Sequence, residues 1–288
     1  MKILFVGVFD TNRQSTNTSQ LLAFKQLGYD VVGYNYRNKA MLIGNQKRDE
    51  DIIRIIESRN FDLVVFSKCN VLGYDVFEKA TSVTKTCLWF MDAMCNYDEE
   101  MRVKTKMVSY CCFDKKNVLE EAMKINKKSF YVCEGFDQDV DKPQDVEKIY
   151  DVTFIGSIYG DRTHYINNSR HKINVINNVF GTDHAKAIGQ SKINLNFCTS
   201  ESASDRIYKI LASGGFLLTN DWPERKEFLT NGRECVVFDG LEDLDNKIDY
   251  YLENPELRNL ISKYGTESVQ QFNRLNWAKK IVEYSYEI

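Results

Sequence analysis

The apolar positions of the chain fall into short runs, separated by stretches in which they recur every three or four residues. Residues 3–8 form one run, a polar turn follows at 10–15, and Leu21, Leu22, Phe24 and Leu27 keep helical spacing up to Gly28. Strand signals return at 31–34, 63–67, 86–90, 108–113 and 130–133, with helical patterns at 49–58, 75–80 and 117–125 between them. The pattern restarts at Asp151-Val-Thr-Phe-Ile-Gly156, a run that ends on glycine as the first does at Gly7. Further strands are predicted at 173–176, 193–197, 216–219 and 235–238, and helices at 205–212, 224–229, 241–252 and 256–272.

Strands alternating with helices predict parallel sheets covered on both faces. A polar, charged stretch at 137–148, holding Pro143, separates the two halves. The expected organisation is an α/β domain at 1–136, a linker at 137–150 and a second α/β domain at 151–272. These would be two Rossmann-like domains facing a cleft. A last helix around 277–284 comes too late to be needed by the second sheet, so 273–288 is expected to return to the first domain. At roughly 150 residues per domain, 288 residues agree with two.

Composition narrows the classes. Hydrophobic residues make up 43% of the chain, which excludes a disordered polymer. Lys and Arg number 38 against 41 Asp and Glu, and a net charge of −3 argues against a general nucleic-acid binder. Eight cysteines are scattered with no C-x-x-C pair, so they read as reduced, buried thiols rather than a zinc or redox motif. The first apolar run is too short for an export signal, and no stretch approaches the roughly 18 apolar residues of a membrane span. The expected compartment is the cytoplasm, and no metal site is expected.

Parallel sheets bind ligands at the carboxyl ends of their strands, where backbone amides and helix N-termini favour anions. That places function in the loops at 7–15, 67–70, 92–96, 156–162 and 196–206. None carries G-x-G-x-x-G or a Walker A loop, which argues against a dehydrogenase or an ATPase.

The most informative segment is Asp205-Arg-Ile-Tyr-Lys-Ile-Leu-Ala-Ser-Gly-Gly-Phe-Leu-Leu-Thr219, a short helix stopped by two glycines and followed by an apolar strand. With Ser191-Lys-Ile-Asn-Leu-Asn196, Phe154-Ile-Gly-Ser157, Arg162 and Asn231-Gly-Arg-Glu-Cys-Val-Val-Phe238, it resembles the nucleotide-sugar-binding half of GT-B glycosyltransferases. The likeness is to the CgeB-like, spore-maturation type and to the family 1-type C-terminal domain. It covers most of 151–280, whereas the first half matches only in architecture and in the hinge-like Glu134-Gly-Phe-Asp137. The resemblance implies a hexosyl- or pentosyltransferase moving a sugar from a nucleoside diphosphate, a UDP-sugar by analogy, to an acceptor hydroxyl. No tightly bound cofactor is implied.

One departure stands out. Many retaining members carry a Glu-x7-Glu pair, the second glutamate holding the ribose hydroxyls and the first lying near the donor sugar. Here Glu201 keeps the first place and Lys209 takes the second. A lysine cannot accept a hydrogen bond from a diol. Either the ribose is held otherwise, or Lys209 turns to a phosphate, or it is a solvated helix lysine. The substitution also keeps open a catalytically inactive nucleotide-sugar sensor.

Breaking a sugar–phosphate bond leaves negative charge on the diphosphate, which Arg, Lys and helix N-terminal amides must neutralise where no metal serves. Arg162 and Arg206 follow loops placed to reach one diphosphate, and Lys192 is a third candidate. Gly156 and Ser157 would let the backbone approach the donor, and Gly214 and Gly215 are a helix stop with a candidate ligand contact. On the acceptor side a general base is expected after a first-domain strand, where Asp10 and Asp92 stand. Asn70 and Tyr97 are candidate acceptor contacts. Residues 102–128 hold eight Lys and Arg against three acids, a net +5. They are either solvated helix faces or a seat for an anionic acceptor, a glycan phosphate or hydroxymethylated DNA.

Overall fold

The computed structural model describes residues 1–11, 15–198 and 203–288. The chain forms two compact units, Met1–Glu134 with Arg274–Ile288, and Gly135–Asn273.

The first unit runs β1 (Lys2–Gly7), α1 (Thr16–Gln26), β2 (Asp30–Asn35), α2 (Tyr36–Ile43), α3 (Asn45–Ser58), β3 (Leu63–Ser67), α4 (Tyr74–Val83) and β4 (Lys85–Phe90). It continues through α5 (Glu99–Met107), β5 (Tyr110–Phe113), α6 (Lys116–Ile125) and β6 (Ser129–Tyr131). Among the described residues the sheet is six-stranded, ordered β2-β1-β3-β4-β5-β6, and every pairing is parallel. Its strand order reverses between β1 and β3.

The second unit holds β7 (Tyr150–Ile155), α7 (Asp161–Asn168), β8 (Ile173–Ile176), α8 (Gly181–Gly189), β9 (Ser191–Asn196) and α9 (Asp205–Ala212). Then come β10 (Leu217–Asn220), α10 (Arg225–Phe228), β11 (Val236–Phe238), α11 (Gly240–Glu253) and α12 (Pro255–Ser268). Its parallel sheet is ordered β11-β10-β9-β7-β8 among the described residues, with the reversal between β7 and β9. The stretch at 137–150 is not a free linker but part of this unit. Ile149 N and Tyr150 N donate to Gln190 O at 2.9 and 3.0 Å, and Lys148 Nζ donates to Ser191 O at 2.8 Å.

The chain then returns to the first unit as α13 (Arg274–Tyr286). Side chains alternate across each strand, so the first sheet has two apolar faces to cover. Leu4, Val6, Val64, Phe66, Leu88 and Phe90 face one core, with Ile52, Val76 and Val118 from its helices. Ile3, Phe5, Leu63, Val65, Cys87 and Trp89 face the other, which α13 covers with Trp277, Ala278, Ile281 and Val282. The Trp277 ring lies 5.3 to 6.1 Å from the rings of Phe24, Trp89 and Phe5. Tyr110 Oη donates to Ile281 O at 2.6 Å, pinning the helix to β5.

Helices α2, α5, α7 and α8 escape the periodicity. In α7 only Arg162 is buried, and α8 begins and ends on glycine. The signal in α5 is polar instead: Asp98 caps it by accepting from Met101 N at 3.0 Å, Glu99 and Glu100 sit in its first turn, and Lys104 and Lys106 sit in its last.

Candidate active site

The end of β7 passes into Gly156 at φ +141°, a backbone region that disfavours side chains. Ser157 follows, and Arg162 in the first turn of α7 folds back so that Nη1 donates to Ser157 O at 3.1 Å. Arg206, in the first turn of α9, reaches the same place from the neighbouring strand. Its Nε donates to Ile155 O at 2.8 Å and its Nη1 to Asn196 Oδ1 at 3.1 Å, so one side chain spans the ends of β7 and β9. That is the point where strand order reverses, the place where open parallel sheets take ligands.

Both guanidiniums lie against one ring. Arg162 Cζ is 5.5 Å and Arg206 Cζ 5.0 Å from the Phe154 centroid, and Arg162 is also 4.1 Å from that of Tyr159. Arg162 is buried, and its Nε has no hydrogen-bond partner among the described residues. No described carboxylate lies within 4 Å of either guanidinium. Burial, and next the charge of Arg162, lowers the proton affinity of Arg206. Two like charges held together without an acid favour an anion that answers both.

Nearby on α9, Lys209 Nζ pairs with Asp205 Oδ2 at 2.6 Å, one helical turn apart. His184 on α8 feels the same charges. Burial pushes its imidazole down to about 3, with Lys209 and Arg206 adding to the effect and Asp205 opposing it. His184 lies in the second half of the chain, outside the acceptor-side strands where a base is expected, and no linear signal marks it as buried beside these charges. Glu201 lies outside the described residues.

Three expected donor contacts stand elsewhere. Lys192 is at the amino end of β9, where its Nζ pairs with Asp151 at 2.6 Å. Gly214 and Gly215 sit where α9 turns into the amino end of β10, their amides donating to Leu211 O at 3.0 Å and Ile210 O at 2.9 Å. A Cβ on Gly215 would meet Ile188 Cγ2 at 2.6 Å, so this glycine serves packing. All three lie at the strand ends opposite Gly156, and the structure does not bring them to the two arginines.

In the first unit, Asp10 is engaged in its own turn. Its carboxylate accepts from Ser15 N, and its amide donates to Thr18 Oγ1 at 3.0 Å. Asp92 stands past the end of β4, partly exposed, and pairs with Lys68 at 2.6 Å. Lys68 and Cys69 both hold left-handed backbone, φ +57° and +58°, a strain concentrated at this strand end. Behind them Asp114, buried after β5, pairs with Lys115 Nζ at 2.5 Å. Burial, with the charges of Glu134 and Asp92, pushes Asp114 up to about 8 although Lys115 opposes it. The sequence reading counted Asp114 only as a charge, since one acid after a strand carries no signal of burial.

Asn70 is exposed and accepts from Tyr36 Oη at 3.3 Å. Tyr97 is a core residue, 3% exposed, with its hydroxyl donating to Thr105 Oγ1 at 2.9 Å, so it is not open to an acceptor. Four of the eight cations of the basic segment are paired. Lys104 and Lys115 are buried on Glu100 and Asp114, and Arg102 and Lys124 share Glu121. Among the described residues no group of three or more His, Cys, Asp or Glu could hold a metal ion.

Residues 143–283, just under half of the chain, match the family model described as glycosyl transferase-like. No curated protein matches the sequence. Among solved structures the chain is similar to Anabaena Alr3699/HepE in complex with UDP-glucose, at TM-score 0.70 and 10% identity over 100% of both chains. It is similar to sucrose-phosphate synthase from Thermosynechococcus elongatus, at TM-score 0.72 and 10% identity over 99% of this chain and 98% of that one. T4 phage BGT in complex with its UDP-glucose substrate matches at TM-score 0.63 and 11% identity over 99% of each. These likenesses establish the fold as GT-B. With the family match they support a GT-B glycosyltransferase.

Proposed function

We propose that the chain is a metal-independent glycosyltransferase that moves a sugar from a UDP-sugar to the hydroxyl of a glycan acceptor. Arg162 and Arg206 hold the diphosphate. The observation that carries this reading is the pair of guanidiniums over Phe154, with no described carboxylate in ion-pair contact, at the β7/β9 reversal. The UDP-glucose and UDP complexes of similar folds support the choice of nucleotide.

When the bond from the sugar's anomeric carbon to the diphosphate oxygen breaks, the electron pair and its charge go to the diphosphate. The two fixed guanidiniums meet that charge in a site of low dielectric, the role a divalent cation plays in other transferases. Gly156 leaves room for the Arg206 guanidinium at the end of β7. On the acceptor side Asp92 is the proposed base, because Asp10 is spent on its turn while Asp92 stays partly exposed beside Lys68. It takes the acceptor's proton as the hydroxyl oxygen attacks.

The test is a thermal-shift screen with UDP, GDP, ADP and CMP, followed by incubation with the matching sugar. A ligand bound only to the native state raises the melting temperature by mass action, so the strongest shift names the donor. Slow release of free UDP from UDP-glucose, unchanged by EDTA, is the expected outcome. A shift with no release under any condition would favour a sensor. EDTA-sensitive release would contradict metal independence.

A further inference from the structure

Helix α2 ends in an exposed apolar tip. Met41 is 76% and Leu42 80% exposed, and Ile43 stands beside them half-open. Two such aliphatic side chains in water cost free energy that nothing in the fold recovers. The tip is nonetheless built firmly. Arg48, fully buried at the start of α3, donates from Nη1 to Asn45 Oδ1 at 3.0 Å and from Nη2 to Val71 O at 2.7 Å. One guanidinium thus ties the α2–α3 corner to the loop after β3, where Val71 is also exposed.

Two exposed cations, Arg37 and Lys47, flank the tip. From Tyr36 to Arg48 the chain carries Arg37, Lys39, Lys47 and Arg48 and no acid. Arg37 and Lys47 are exposed, with no described carboxylate within ion-pair distance. The acids that follow are turned to internal partners. Asp49 accepts from Arg48 Nε at 2.8 Å and Gly73 N at 3.1 Å, and Asp51 is shared by Tyr34, Lys39 and Arg54, leaving Glu50 exposed.

We propose that this tip is a docking surface for an anionic lipid bilayer, Met41 and Leu42 entering the acyl boundary while Arg37 and Lys47 meet lipid phosphates. Exposed aliphatic side chains flanked by two exposed cations suit an anionic interface. Duplex DNA would answer the cations and leave Met41 and Leu42 without an apolar partner. A two-fold contact with a second copy would bring Arg37 and Lys47 against their own kind. No described helix is long and apolar enough to cross a membrane. The proposal is independent of the sugar-transfer reading.

The test is co-sedimentation of the full chain with vesicles of phosphatidylglycerol and phosphatidylcholine in equal parts, against phosphatidylcholine alone. The protein should pellet with the anionic vesicles. M41S/L42S should lower the partition coefficient about tenfold or more, and R37Q/K47Q should remove the preference for phosphatidylglycerol. Both pairs are exposed, so unchanged melting temperatures would show that the fold is intact. Failure to pellet, or pelleting unaffected by M41S/L42S, overturns the proposal. So does a result in which M41S/L42S abolishes self-association or duplex-DNA binding while vesicles stay unbound.

Discussion

A β-carbon on Gly156 would stand 2.7 Å from Nη2 of Arg206, so the absence of a side chain at the end of β7 is what lets the guanidinium lie there. The two residues are 50 positions apart and form one device. Gly156→Ala strains a backbone at φ +141° and displaces the arginine together. We expect a loss of about 1–3 kcal/mol in stability and UDP affinity weakened by about tenfold or more. Chemical denaturation and calorimetry read the two effects separately.

Asp92 is expected to act on rate rather than on donor binding. Asp92→Asn should lower kcat by about 100-fold or more while UDP affinity stays near wild type. Asp10→Asn, by contrast, should act through its turn and change stability more than rate. A kinetic pair showing the reverse would exchange their roles.

His184 gives the fold an acid limit. Its imidazole is held down to about 3 when folded, against an ordinary value near 6.5, so the unfolded chain binds the proton first as pH falls. Stability is then complete above about pH 6.5 and declines below it. His184→Gln should remove a loss of about 2 kcal/mol between pH 6.5 and 4.5. Urea titrations of both proteins across that range would show whether the slope disappears.

The returning helix should be essential to the first unit. Trp277 fills the centre of an apolar face whose strands contribute Phe5 and Trp89. Trp277→Ala is expected to cost about 3–5 kcal/mol, measured by denaturant unfolding. A change below about 1 kcal/mol would mean that α13 covers little of that face.

Alternation of strand and helix was legible because parallel strands buried on both faces read as continuous apolar runs, such as Leu-Val-Val-Phe at 63–66. Helices whose stability comes from capping and charge, such as α5, or whose ends are glycines, such as α8, have no apolar period to read. The site followed the same divide. Arg162, Gly156 and Arg206 were visible because turn glycines and helix starts fix where a residue sits along a strand. Lys192, Gly214 and Gly215 belong to the same motif-bearing segments of chain, but a linear motif does not say which edge of the sheet each residue occupies. Burial is likewise a property of packing, which is why Tyr97 read as a contact and Asp114 went unread.

The most direct measurement is calorimetric titration of UDP, UMP and uridine into wild type, Arg206→Ala and Arg162→Ala. If the two guanidiniums hold the diphosphate, wild type should prefer UDP to uridine strongly. Each variant should lose about 1.5–3 kcal/mol of UDP binding, roughly 10- to 150-fold, with uridine affinity little changed. Equal affinity of wild type and Arg206→Ala for UDP, with both proteins folded, would contradict the account.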